Sequence, residues 1–339
     1  MDVEATVVVL IGLLGPASVV GWPLLKQRRI LVPWRIGNAL LAEGRFAEAE
    51  AKFRETLEMA RGRFGADHWR TSLHMNALAL SLVGQNRLDD AQPLVERAFS
   101  IADAQKPLPH PDLALVFVGA SIYWASRKDE ARAQTLLDRA RREGRSSRHV
   151  RAAIERTVVV RAAQKGDEAR AADAYSRVPS ELLKERDVGK LARLGLKLLH
   201  AGDARRAGQC LRAALSVVTR VSSGEFAEAF YRGLLGEALV RDGHEEEARR
   251  ELEQAAIDYD AIVGGSHPAA APVLVVLAEL RARMGDDDGA RSACKRVLRL
   301  AVPATTPVEP YRASASAADP LEAERDRARA LLARLGQPT

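Results

Sequence analysis

The chain has 339 residues, 47% of them hydrophobic and only 5% aromatic, so a core is within reach and must be built mostly from Ala, Leu and Val. Its 51 Lys and Arg against 45 Asp and Glu leave a net charge of +6, too thin over this length to mark a nucleic-acid-binding surface. Two cysteines, Cys210 and Cys294, are too few for a disulfide framework.

Residues 5–25, ATVVVLIGLLGPASVVGWPLL, carry no charge. As a helix rising about 1.5 Å per residue they would span roughly 31 Å, close to the hydrocarbon thickness of a bilayer. Asp2 and Glu4 precede this run and Lys26, Arg28 and Arg29 follow it, which places the following chain on the cytoplasmic side. Residues 1–29 are therefore expected to be a single-pass transmembrane anchor with a basic flank, in the inner (cytoplasmic) membrane of a bacterium. Two alternatives stay open. Gly15 and Ala17 form a small-x-small pattern that a signal peptidase accepts, which would make the chain a periplasmic or secreted assembly factor. Gly12, Gly15, Pro16, Gly21 and Pro23 would instead suit an apolar helix packed into the first hairpin.

From residue 30 to 301 an alanine recurs at 49, 91, 133, 171, 207, 248 and 290, at intervals of 42, 42, 38, 36, 41 and 42. In the first copy Ile36, Gly37 and Leu40 share one helical face, Gly44 supplies a turn, and Phe46, Ala49, Phe53 and Leu57 continue the stripe in a second helix. Gly202, Gly243 and Gly285 sit at equivalent turns, with Asn86 as a substitute for glycine. In the third copy Ala131 competes with Ala133; Ala133 is preferred because Leu137 and Ala140 then take core places. A hairpin of this size cannot bury its apolar face alone. The expected fold is all-α, a solenoid of about seven helical hairpins, in which the crossing alanines let paired helices approach closely.

The strings GRFAEAEAKF (44–53), GDARRAGQCLRAAL (202–215) and GHEEEARRELEQAA (243–256) resemble the tetratricopeptide repeat (TPR) signature. The stretch FGADHWRTSLHMNALA (64–79) looks like the kinesin light chain subtype, keeping Gly65, His68, Asn76, Leu78 and Ala79 but departing at Trp69 and Ala77. The last hairpin keeps Gly264, His267, Pro268, Leu277 and Ala278, with Val275 and Val276 in place of two asparagines. This resemblance implies a non-enzymatic scaffold that binds a protein or peptide in a concave groove lined by first helices. Matching hairpins to the family puts Trp34, Asn38, Asn76, Leu80, Val83, Val118, Ile122, Arg156, Leu196, Glu237 and Glu279 in that groove. Only Asn38 and Asn76 fit a carboxylate clamp; the mostly apolar lining suits an extended or helical peptide held by burial.

The cysteines are read as inward-facing residues at one matching place in the second helices of two hairpins separated by a third. Packed layers roughly 10 Å apart keep them beyond the roughly 7 Å limit for a disulfide, so they read as thiols in a reducing compartment. No P-loop, dinucleotide fingerprint, paired-cysteine zinc spacing or His-Glu-x-x-His is present. No catalytic residue, metal ligand or cofactor is therefore expected. His68, His110 and His267 read as helix-start residues, and Asp286, Asp287, Asp288 and Gly289 as a hairpin turn, because Val297 stands where a calcium loop needs glutamate. The basic stretch Arg139 to Arg161, with Arg141, Arg142, Arg145, Arg148, Arg151 and Arg156, has no interleaved aromatic to stack a base. Anionic lipid is its readiest ligand, so a nucleic-acid or lipid-binding regulator is a second alternative. Residues 302–319, with Pro303, Pro307 and Pro310, read as a linker. Residues 320–339 read as a last helix, capped by Asp319 and Pro320, that either covers the solenoid end or blocks the groove.

Overall fold

The computed structural model describes residues 24–221, 226–264, 267–300 and 321–336. Among these all regular structure is helical. The helices fall into two units, divided between Leu182 and Leu183.

The first unit holds four hairpins, α1 (Leu24–Ala42) with α2 (Phe46–Phe64), α3 (Trp69–Gly84) with α4 (Leu88–Asp103), α5 (Leu115–Ser126) with α6 (Glu130–Glu143), and α7 (Arg148–Gln164) with α8 (Glu168–Ser176). The second holds three, α9 (Glu185–His200) with α10 (Ala204–Val221), α11 (Phe226–Arg241) with α12 (Glu245–Val263), and α13 (Ala271–Arg283) with α14 (Asp287–Arg299), followed by α15 (Glu322–Arg334).

Every hairpin turns in the same way. The first helix ends on a residue in the left-handed region: Gly44 (φ 79°), Asn86 (58°), Lys128 (66°), Gly166 (69°), Gly202 (85°), Gly243 (81°) and Gly285 (83°). The amide after each donates back to the carbonyl five residues earlier, Arg45 to Leu40, Arg87 to Leu82, Asp129 to Trp124, Asp167 to Ala162, Asp203 to Leu198, His244 to Leu239 and Asp286 to Arg281, always at 2.9 Å. That bond satisfies a carbonyl the helix end would otherwise leave open. Five residues after each turn residue stands the crossing alanine, and all seven, from Ala49 to Ala290, are at most 1% exposed. Ala133 is buried and Ala131 exposed, which settles the third hairpin.

The long connectors are helix starts. His68, His110 and His267 each accept the amide two residues on, from Arg70, Asp112 and Ala269, at 3.1, 3.2 and 3.2 Å through Nδ1. In the first unit their rings form a ladder: Phe64 stacks on His68 at 5.2 Å, His68 on Trp69 at 5.7 Å, and Trp69 on His110 at 5.9 Å. Trp69, in the place where the subtype has proline, thus ties two successive connectors together. Asp286 caps α14 by accepting the Gly289 amide at 2.9 Å, so the acidic run is not the hairpin turn expected of it but the cap and first turn of the helix that follows Gly285.

Cys210 and Cys294 form no disulfide and are at most 1% exposed. They stand three and four residues after Ala207 and Ala290, so both face the core but not from one matching place. Burial, and next the Glu279 charge, push the Cys294 thiol up, away from reactive thiolate.

The apolar run expected to be the anchor lies outside the described residues except for its last two positions. There the structure differs from the expected boundary, because α1 begins at Leu24 and runs without a break through the basic flank into the first hairpin. Among the described residues no helix is long and apolar enough to cross a membrane. The proline-rich linker and the Asp319–Pro320 cap also lie outside them. The last helix is described. Leu321, Ala328, Leu331 and Leu332 are at most 5% exposed, and α15 packs on both helices of the last hairpin. Arg327 grips Glu279 at 2.7 and 3.0 Å, and Arg325 donates to the Leu300 carbonyl at 2.6 Å. It therefore stands where the first helix of an eighth hairpin would stand, as a cover for the end.

Candidate functional site: the first-helix surfaces

In the first unit the first helices after α1 are closed. Residues 152–160 of α7 and 115–123 of α5 are buried without interruption, and in α3 only Leu73 departs from burial between 71 and 84. The reason is composition: LVFVGASIY in α5 is apolar all round, and such a helix packs on every side. Six of the residues expected to line a groove accordingly lie in the core: Asn76, Leu80, Val83, Val118, Ile122 and Arg156, at 5% exposure or less.

Two of these hold the stack together. The Asn76 amide donates to the Leu115 carbonyl of the next hairpin at 3.3 Å, and its carboxamide fills the space that a side chain at Gly119 would need. Arg156 donates to the Leu182 carbonyl at 2.6 Å. Substituting Asn76 and Leu80 would therefore strike the core rather than a ligand surface.

Trp34 and Asn38 on α1 stay part-exposed, and Asn38 donates to the Trp34 carbonyl at 2.8 Å. The Trp34 ring meets His74 at 4.5 Å, edge to face. Burial holds His74 down to about 4, so it is neutral. Neither His74 Nδ1 nor Asn38 Oδ1, both buried, has a hydrogen-bond partner among the described residues.

The second unit differs. Its first helices leave one stripe open: exposed Arg193 and part-exposed Leu196 on α9, part-exposed Phe230, Leu234 and Glu237 on α11, continued by Glu279 on α13. Leu196, Glu237 and Glu279 occupy one place in successive hairpins, six residues before Gly202, Gly243 and Gly285. Arg241 ties α11 to α9, donating to Glu237 at 2.6 Å and to the Leu199 carbonyl at 3.2 Å. Phe230 and Leu234 were not anticipated from the sequence, though they lie seven and three residues before Glu237 on the same helical face. This stripe offers apolar area bounded by an arginine and two carboxylates, with no nucleophile paired to a base. Among the described residues no cluster of three metal-ligating side chains occurs.

Two other features carry charge at the surface, and pairing within the chain takes up much of it. A pocket of about 410 Å³ between α6 and α7 is lined by Glu130, Gln134, Val158, Arg161 and Lys165, but Glu130 and Arg161 pair across it. In the basic stretch Arg139 binds Asp103 and Glu143 at 2.6 and 2.7 Å and lies 4.1 Å from the Phe117 ring centre. Arg141 meets Asp138 at 2.9 Å. Arg142, Arg145, Arg148 and Arg151 are exposed and carry no ion pair among the described residues, so the charge left over is four arginines around one turn.

Residues 29–104 match the tetratricopeptide repeat family model. No curated protein matches the sequence. Similar solved structures include the APC/C hetero-tetramer Cut9-Hcn1, 15% identical over 90% of this chain and 50% of that one, with a TM-score of 0.34. The C-terminal part of a TPR repeat-containing protein from Cytophaga hutchinsonii is 14% identical over 79% and 95% of the two chains, TM-score 0.38. BtubC from P. vanneervenii is 14% identical over 88% and 99%, TM-score 0.30. The chain spans half the length of the first of these. Residues 29–104 thus match tetratricopeptide repeats, and all seven hairpins share one left-handed turn followed by a buried crossing alanine.

Proposed function

We propose that the protein is a non-enzymatic scaffold that holds a protein partner on the first-helix stripe of its second unit. The reading rests on one contrast: the first helices α3, α5 and α7 are closed, whereas α9 and α11 leave Leu196, Phe230, Leu234 and Glu237 part-exposed in helical register. Apolar side chains beside Arg193, with Glu237 held by Arg241 and Glu279 by Arg327, suit an amphipathic segment that buries its apolar face and sets an acidic group against Arg193 at the edge. Trp34 and Asn38 on α1 give a second, smaller contact in the first unit.

Tethering completes the proposal. Residues 5–25 cross the inner membrane once, and Lys26, Arg28 and Arg29 keep the repeats on the cytoplasmic side. Connectors with histidine caps support the kinesin light chain-like subtype.

The test pairs two photo-crosslinking substitutions in cells, at Leu234 and at Leu80. A protein adduct at 234 that is absent at 80 and lost in Phe230→Ala with Glu237→Lys supports the stripe. Equal adducts at both positions, or none at 234, would refute it. Protease added to intact and then lysed spheroplasts tests the side: repeats digested before lysis would overturn the cytoplasmic assignment.

A further inference from the structure

Val32 and Ile36 on α1 are 54% and 43% exposed. They stand twelve and eight residues before the turn residue Gly44, and the residues at the same places one hairpin on, His74 and Leu78, are 9% and 5% exposed. The pattern repeats at Val116 and Ala120 before Lys128, each 1% exposed, and at Val273 and Leu277 before Gly285, at 6% and 3%. This is the face that α3 and α13 turn to the hairpin before them: the Trp34 ring meets His74, and a side chain at Gly233 would stand 2.6 Å from Val273. On α1 it is uncovered among the described residues.

The character of this face sets its occupant. Val32, Arg35, Ile36 and Ala39 are all exposed and fall on one side of α1, while Pro33, Gly37 and Leu41 on the other side are buried. Arg35 has no ion pair among the described residues, and Arg28 and Arg29 precede it on the same helix with no acidic residue before Glu43. An apolar pair set among cations, directly after an uncharged run, suits the interface of an anionic bilayer.

We infer that α1 lies along the anionic phospholipid surface with Val32 and Ile36 inserted, so that the membrane takes the place of a preceding hairpin. The inference rests on the membrane tether proposed above.

The test uses the full chain with Cys210→Ala, Cys294→Ala and Ile36→Cys, labelled with an environment-sensitive fluorophore, and a second probe at Asp89→Cys, 90% exposed on α4. Vesicles are phosphatidylcholine alone or with one-third phosphatidylglycerol. The expected result is co-sedimentation with both, a blue shift at 36 and not at 89, and roughly tenfold weaker burial of the probe after Arg35→Glu or without the anionic lipid. Co-sedimentation with an unchanged spectrum at 36 overturns the inference and leaves the tether standing. Failure to sediment with either vesicle overturns the tether as well. A blue shift without lipid overturns the inference in favour of the preceding apolar segment if independent of concentration, or of a second copy if it grows with concentration.

Discussion

His74 is a proton acceptor that folding disables. Folded, it sits against Trp34 and is held down to about 4 by burial; unfolded, it returns to about 6.5. Because the folded value is the lower one, the unfolded chain takes up a proton that the folded chain refuses. Stability is therefore full above pH 6.5, falls as the pH drops from there towards 4, and levels off below. Integrating the two titrations gives a loss of about 2 kcal/mol between pH 7 and pH 5. His74→Phe keeps a ring against Trp34 and removes the proton site. Hydrogen exchange of α1 and α3 peptides, corrected for the intrinsic pH dependence of exchange, reads the local free energy at both pH values. The wild type should lose about 20-fold in protection, and the variant less, keeping what His68, held down chiefly by burial at the start of α3, contributes to both, while carboxylates held low by arginines, such as Asp103 beside Arg139, titrate only at lower pH. An equal loss in both proteins would refute the reasoning.

Gly119→Ala would force its methyl into the Asn76 carboxamide and cost about 1–3 kcal/mol, lowering the urea midpoint of the first unit; Gly119→Ala combined with Asn76→Gly should recover part of it. Lys128, with φ 66° at a turn where the other hairpins have Gly or Asn, should accept glycine with a gain of about 0.5 kcal/mol, read as a higher thermal midpoint; a loss would mean that its left-handed backbone carries no strain.

Much of the fold was legible because two positions in each hairpin admit few residues. The crossing place admits alanine, and a left-handed turn favours glycine or asparagine, so both left a visible period. Lys128 broke that pattern, and Gly166 lay in the shortest and most degenerate copy. The groove was less legible, because apolar side chains do not say whether they face a ligand or a neighbouring helix. Val118 and Ile122 lie on a helix that is apolar all round, a sign of burial on every side that outweighs any assignment by alignment. Asn76 misled for another reason: its partner carbonyl, at Leu115, lies on the next hairpin. In the second unit, by contrast, three of the expected places, Leu196 on α9, Glu237 on α11 and Glu279 on α13, stay part-exposed.

The constant step of five residues from turn residue to crossing alanine has a consequence for how such a chain can change length. Losing one residue inside that step would rotate the second helix by about 100° and swing the alanine out of the seam, replacing it with a bulkier neighbour. Adding or removing a whole hairpin, 36 to 42 residues here, restores the phase and presents the next helix with the face it already fits. The gene thus has a natural coin of change, in which whole repeats are exchangeable and single codons at the turns are not.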